Sequence, residues 1–213
     1  RQMCIRDRTN TMLEVATSSN LWVNLFIMVL CAPVAEELIF RRLLIDRLAQ
    51  YGEGVAVLFS GLMFGLFHGN LNQFVYAFVL GLCFGFIYVK TGNIRYTIGL
   101  HMLVNFLGSV LGVAILKWLG DDFLSVASDP AGMMSYMTGN FGKLIVYFIY
   151  IFLLLGVAIA GIILFIVNLK KIRFQPGMNT IPKGKRFSTT VLNVGMALYM
   201  IVWIVIIIVQ LFQ

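Results

Sequence analysis

Six polar side chains stand in surroundings that are otherwise apolar: Glu36, Glu37, Arg41, His68, His101 and Asn105. Their types suit acid–base work on a water molecule: a carboxylate can take a proton, imidazoles can relay or donate one, and an amide can hold an oxyanion. Such chemistry requires no Ser or Cys nucleophile. Glu36 and Glu37 are adjacent, so about 100° of helix rotation stops them from pointing the same way. Glu37 and Arg41 are four apart with the acid first, the favourable order for a helical ion pair, which leaves Glu36 without a local counter-charge. His101 and Asn105 are also four apart and share one helix face.

The spacing between these groups is as informative as their types. Gly52 lies 16 residues after Glu36 and 16 before His68. Two antiparallel helices turning there place carboxylate and imidazole at matching depth, within hydrogen-bonding reach if the faces match. His101 lies about 12 Å beyond the Gly92-Asn93 turn at 1.5 Å per residue. Glu36 falls at a similar shallow depth if Arg41 and Arg42 mark the membrane interface. Blander readings exist for each residue. The glutamates can mark a helix end, His68 can be a hydrogen-bonded helix-end residue, and His101 with Asn105 can be a polar clasp between helices. A clasp does not need so many ionisable groups.

The elements that must position them are membrane helices. The 213 residues are 60% hydrophobic and 12% charged, against about 45–50% and about 25% for a soluble domain, which excludes a water-soluble fold and intrinsic disorder. Apolar stretches fall at 20–45, 54–68, 73–89, 95–117, 143–168 and 189–212; the second and third are short for a full crossing of about 20 residues. None alternates like a strand, so the expected fold is all-α, a polytopic bundle of about six membrane helices. Residues 20–117 form the catalytic part, 118–142 an extracytoplasmic loop, and 143–213 two further helices joined by a basic cytoplasmic loop at 170–187. A charge at the centre of such a helix costs about 2.5–3.5 kcal/mol on insertion scales, which makes Glu36, Glu37, His68, His101 and Asn105 candidates for function.

Charge sets orientation. The net charge of +7 sits between apolar runs and is read as orienting the protein in the lipid bilayer, not as a nucleic-acid surface. Lys170, Lys171, Arg173, Lys183, Lys185 and Arg186 crowd one connection, while Asp121, Asp122 and Asp129 occupy another. The positive-inside rule puts the first in the cytoplasm, and alternation brings Arg47, Glu53, Lys90 and Arg95 to the same side. The first helix is then too long for the bilayer, and its end projects into the cytoplasm. Cys4, Cys31 and Cys83 have no metal or redox spacing. Residues 1–8 resemble the translation of a transposon end used in DNA library preparation and are read as a scar; that reading expects the natural N-terminus, and further helices, upstream.

Three motifs now combine. Glu36-Glu37-Leu-Ile-Phe-Arg41 fits Glu-Glu-x-x-x-Arg, Phe64-Gly-Leu-Phe-His68 fits Phe-x-x-x-His, and His101-Met-Leu-Val-Asn105 fits His-x-x-x-Asn. In this order they resemble the CPBP family of intramembrane proteases, which includes CAAX prenyl endopeptidases and bacteriocin-processing or self-immunity proteins. The resemblance covers roughly residues 20–110. It implies an intramembrane endopeptidase whose substrate is a membrane-associated, lipid-anchored or leader-bearing peptide. It also implies that Glu36 with His68 activates water, that His101 and Asn105 hold the oxyanion, and that Glu37 with Arg41 supports the helix and orients Glu36. A metal such as zinc, if held, would take Glu36, His68 and His101, but the His-Glu-x-x-His helix of many zinc proteases is absent, and a metal-free glutamate mechanism is favoured. A non-catalytic immunity-type peptide-binding protein and a proton-coupled transporter are the alternatives. The transporter would more often show inverted repeats, and none is visible.

Overall fold

The computed structural model describes residues 20–120, 122–127, 129–179, 181–185, 188–189 and 192–211. Residues 1–8 with Cys4, together with Asp121 and Arg186, lie outside the described residues. Among the described residues every regular element is helical. The longer helices among the described residues are α1 (Leu21–Tyr51), α2 (Glu53–Phe67), α3 (Leu71–Thr91), α4 (Ile94–Leu119), α5 (Asp122–Val126), α6 (Pro130–Lys171) and α7 (Val194–Leu211), with a short 3-10 turn at Lys183–Lys185. Of these, α1, α3, α4, α6 and α7 are long and apolar enough to cross a membrane. The expected six spans become five and a short apolar helix, because α2 has 15 residues, while α3 reaches 21 and is not short as expected.

Turn chemistry fixes the boundaries. Gly52 (φ 111°), Gly69 (φ 69°) and Gly92 (φ 64°) take left-handed conformations that a side chain would strain. Asn70 caps α3 by accepting from the Gln73 N–H at 2.7 Å. The expected 118–142 loop is mostly helix: α5 lies within it, and α6 begins at Pro130, capped by the Asp129 carboxylate, which accepts from Ala131 and Gly132 N–H groups. A break at Asn140 (φ −129°, ψ 24°) separates this first leg from the apolar run. Hydropathy finds the apolar run, and the leg carrying Ser135, Thr138 and Asn140 escapes it.

The chain divides into two compact units. The first comprises residues 30–102 and 174–211. Its centre is the α2–α3 hairpin, which packs through glycines: a Cβ on Gly81 would stand 2.9 Å from Gly61 Cα, and one on Gly65 3.0 Å from Phe78 Cβ. Small residues let helix backbones approach closely in membranes. Here the Gly52 turn, the end of α3 and segment 174–179 meet. Glu53 pairs with Lys90 and accepts from Gln175 N–H at 2.9 Å, and Asn179 N–H donates to Gln50 O at 2.9 Å. Those three connections were expected on one side of the membrane, and they share one end of this unit. The second unit comprises residues 20–29 and 103–173. Leu119, Phe123 and Leu144 form its core with Met133, Tyr136 and Tyr147 around them.

Candidate active site

Helix α1 is not uniform. Wide π-type turns at Leu25–Cys31 and Leu38–Ile45 flank a regular stretch, Ala32–Glu37, that carries both glutamates. A third, Phe106–Gly112, begins immediately after Asn105 in α4. Wide turns of this kind are rare and recur at functional sites. Pro33 gives one cause, because it has no N–H to return to the carbonyl five residues back, that of Met28. In the second unit the Asn105 side-chain amide donates to that carbonyl at 2.8 Å.

In the first unit Glu37 and Arg41 are completely buried. Glu37 Oε2 lies 3.0 Å from Arg41 Nε, the expected i, i+4 pair; the contact is close but not aligned as a hydrogen bond. Arg41 Nη1 reaches Ser60 Oγ at 3.5 Å, and that hydroxyl donates to Phe40 O at 2.8 Å. The guanidinium also lies over Phe64, 4.7 Å from the ring centre. Arg41 therefore does not mark a membrane interface as expected, and the shallow depth inferred for Glu36 loses that anchor; Arg42, 62% exposed and 3.5 Å from Asp46, is the outward arginine.

The other Glu37 oxygen bonds His101. Nδ1 and Oε1 are 3.0 Å apart and His101 is 4% exposed. A carboxylate only accepts, so Nδ1 carries the hydrogen and Nε2 is directed elsewhere. Nε2 lies 3.7 Å from Glu36 Oε2. That carboxylate oxygen is buried and makes no hydrogen bond, a costly state for a charged group. Glu37 and Arg41 thus brace His101, whereas the sequence had them orient Glu36.

His68 is placed differently from expectation. Its Nδ1 lies 2.9 Å from Phe64 O; a carbonyl accepts, so Nδ1 again carries the hydrogen and Nε2 of the neutral ring is an acceptor. No hydrogen bond or ion pair joins His68 to Glu36 among the described residues. The Phe64 ring packs edge-on against both imidazoles, 4.9 Å from His68 and 5.5 Å from His101, and the matching depth did not become a direct Glu36–His68 contact. Among the described residues no three His, Cys, Asp or Glu side chains stand together as a ready-made ligand set for an ion.

The sequence reading missed Ser60, completely buried, and Phe84, whose ring lies 5.4 Å from His101. Ser60 was detectable, since Ser60, Phe64 and His68 recur every four residues on one face of α2. Phe84 gave no signal among the apolar residues of α3.

The comparisons with known proteins fall on this region. Residues 18–107 match the family model described as type II CAAX prenyl endopeptidase Rce1-like, so the resemblance carried by the three motifs holds over that segment. A protein of Bacillus subtilis (strain 168) named "Putative membrane peptidase YdiL" is 27% identical over 100 residues, 46% of this chain and 40% of the relative. The chain therefore spans well under half the length of that relative. No solved structure matches at comparable significance.

Proposed function

We propose that this chain is an endopeptidase acting on a peptide at or in the membrane, with Glu36 as general base. The observation that carries the reading is the buried Glu36 oxygen with no hydrogen-bond partner, set beside an imidazole that a second, ion-paired glutamate holds in place. The likeness of residues 18–107 to Rce1-like endopeptidases supports peptide hydrolysis as the reaction.

Water enters between substrate and Glu36. Its oxygen attacks the scissile carbonyl carbon as Glu36 takes one of its protons, and the carbonyl electron pair moves onto oxygen. His68, an acceptor at Nε2, orients the second water proton. His101 gives Nδ1–H to Glu37 and, where Nε2 also carries a hydrogen, donates it to the oxyanion; the His-x-x-x-Asn motif assigns Asn105 the second oxyanion donation. Collapse of the tetrahedral intermediate breaks the C–N bond, and the proton on Glu36 passes to the leaving amine. Each step uses protons already counted.

The substrate class remains that of the sequence reading: a membrane-associated, lipid-anchored or leader-bearing peptide. A Glu36→Gln protein separates catalysis from capture, because it keeps the shape of the side chain and loses the base. The proposal expects it to bind peptide and leave it intact. Cleavage at the wild-type rate would remove Glu36 from the mechanism.

A further inference from the structure

We propose that a groove in the first unit holds one acyl chain of an anionic membrane phospholipid, with the phosphate bound by Arg47. The groove, about 370 Å³, runs between Leu38–Ile45 of α1, α2 and α7. Phe40, Leu43, Met63, Phe67, Tyr199 and Trp203 line it, together with Arg47. Its polar groups are satisfied within the wall: the Tyr199 hydroxyl donates to Met63 O at 2.7 Å and meets the Trp203 side chain, whose ring packs on Phe67 with centres 5.2 Å apart. A ligand lying there finds hydrocarbon along its length and a single cation, Arg47.

Arg47 is exposed. One guanidinium nitrogen donates to Leu43 O at 2.9 Å, which folds the side chain back along α1 towards a residue of the groove wall. Among the described residues it enters no ion pair, whereas Arg41, Arg42 and Lys90 each have a carboxylate partner. The remaining N–H donors form a planar fork that matches a phosphate. An apolar groove ending in an unpaired guanidinium complements an amphiphile with a hydrocarbon tail and an anionic head. The neighbouring turn binds segment 174–179 through Gln50 and Glu53, and that segment is flanked in the sequence by Lys170, Lys171, Arg173 and Lys185. Basic clusters next to membrane helices draw anionic lipid to the surface. Once seated, the chain lies against Phe67 and supports the turn that carries His68.

This inference does not depend on the peptidase reading, because its test measures bound lipid. Purified protein is delipidated in detergent, offered phosphatidylglycerol or phosphatidylcholine, washed, and its retained lipid counted by mass spectrometry. Wild type should retain about one phosphatidylglycerol, preferred about fivefold over phosphatidylcholine, as one cationic side chain at a lipid surface provides. Arg47→Gln should lose the preference, Leu43→Trp should fill the groove and retain neither lipid, and Lys143→Gln, on a helix that does not line the groove, should behave as wild type. Inorganic phosphate should not displace the lipid. Thermal melting of each variant shows that it is folded. Equal retention of the two lipids by wild type, no retention at all, unchanged preference in Arg47→Gln, or retention by Leu43→Trp would each overturn the proposal.

Discussion

Glu37 and Arg41 are both closed off from solvent, and two buried charges that meet in an ion pair gain little net stability from the pairing. Removing one of them is another matter. Glu37→Gln takes from the buried Arg41 guanidinium its ion-pair partner and should cost about 3–5 kcal/mol of stability. Replacing both by apolar groups of similar volume, Glu37→Leu with Arg41→Met, should bring the melting temperature back close to wild type. Cleavage should stay lost, because His101 Nδ1 no longer has the Glu37 oxygen 3.0 Å away. A double variant that melts normally and still cleaves would show that Glu37 does not brace the imidazole. At this scale the sequence was readable where partners are four residues apart on one helix, as for Glu37 and Arg41. It was silent on Glu37 and His101, 64 residues apart, because that contact depends on the rotation of α1 and α4. The Glu36–His68 contact failed for the same reason: equal depth says nothing about how each helix is rotated.

Helix existence was legible from hydropathy and turn glycines, and helix extent was not. α1 runs through Arg41, Arg42, Asp46 and Arg47 because Arg41 is neutralised internally and Asp46 is held by Arg42 and the Tyr88 hydroxyl, at 3.5 and 2.8 Å. No residue pattern announced the wide turns in α1 and α4. The α2–α3 hairpin sets the position of Phe64 against both histidines, and its tightest approach is at Gly81. Alanine there would place Cβ 2.9 Å from Gly61 Cα and 3.1 Å from the Phe64 ring. Overpacking of this kind costs about 1–3 kcal/mol, and the displaced ring should lower cleavage as well. Gly99→Ala, with nothing within 4 Å of its Cβ, should melt at or slightly above wild type, since alanine favours a helix over glycine. Equal melting temperatures for the two variants would contradict the close packing.

For the whole molecule the composition alone was decisive: a chain so apolar reads as a membrane protein, and among the described residues five helices are long and apolar enough to cross a bilayer. Orientation rests on the basic connection at 170–185 and the acidic one near Asp122 and Asp129. With Cys4, Cys31 and Cys83 replaced, a single cysteine at Ser125 should react with an impermeant thiol reagent in intact cells. One at Gly184, which has open space around it, should react only after the membrane is opened. Gly177 is unsuitable, since a side chain there would collide with the backbone of Gln50, Tyr51 and Gly52. The reverse labelling pattern would turn the Gly52 end of the first unit outward.

The central claim, that Glu36 activates a water that cleaves a peptide bond, is tested most directly in ¹⁸O-labelled water. Purified wild type and Glu36→Gln are each reconstituted with a library of membrane-associated peptides, and the products are read by mass spectrometry. Wild type should generate new termini whose C-terminal carboxylates carry one ¹⁸O atom after a single turnover, and Glu36→Gln should generate none. Labelled products at undiminished rate from Glu36→Gln, or no products from either protein, would contradict the account.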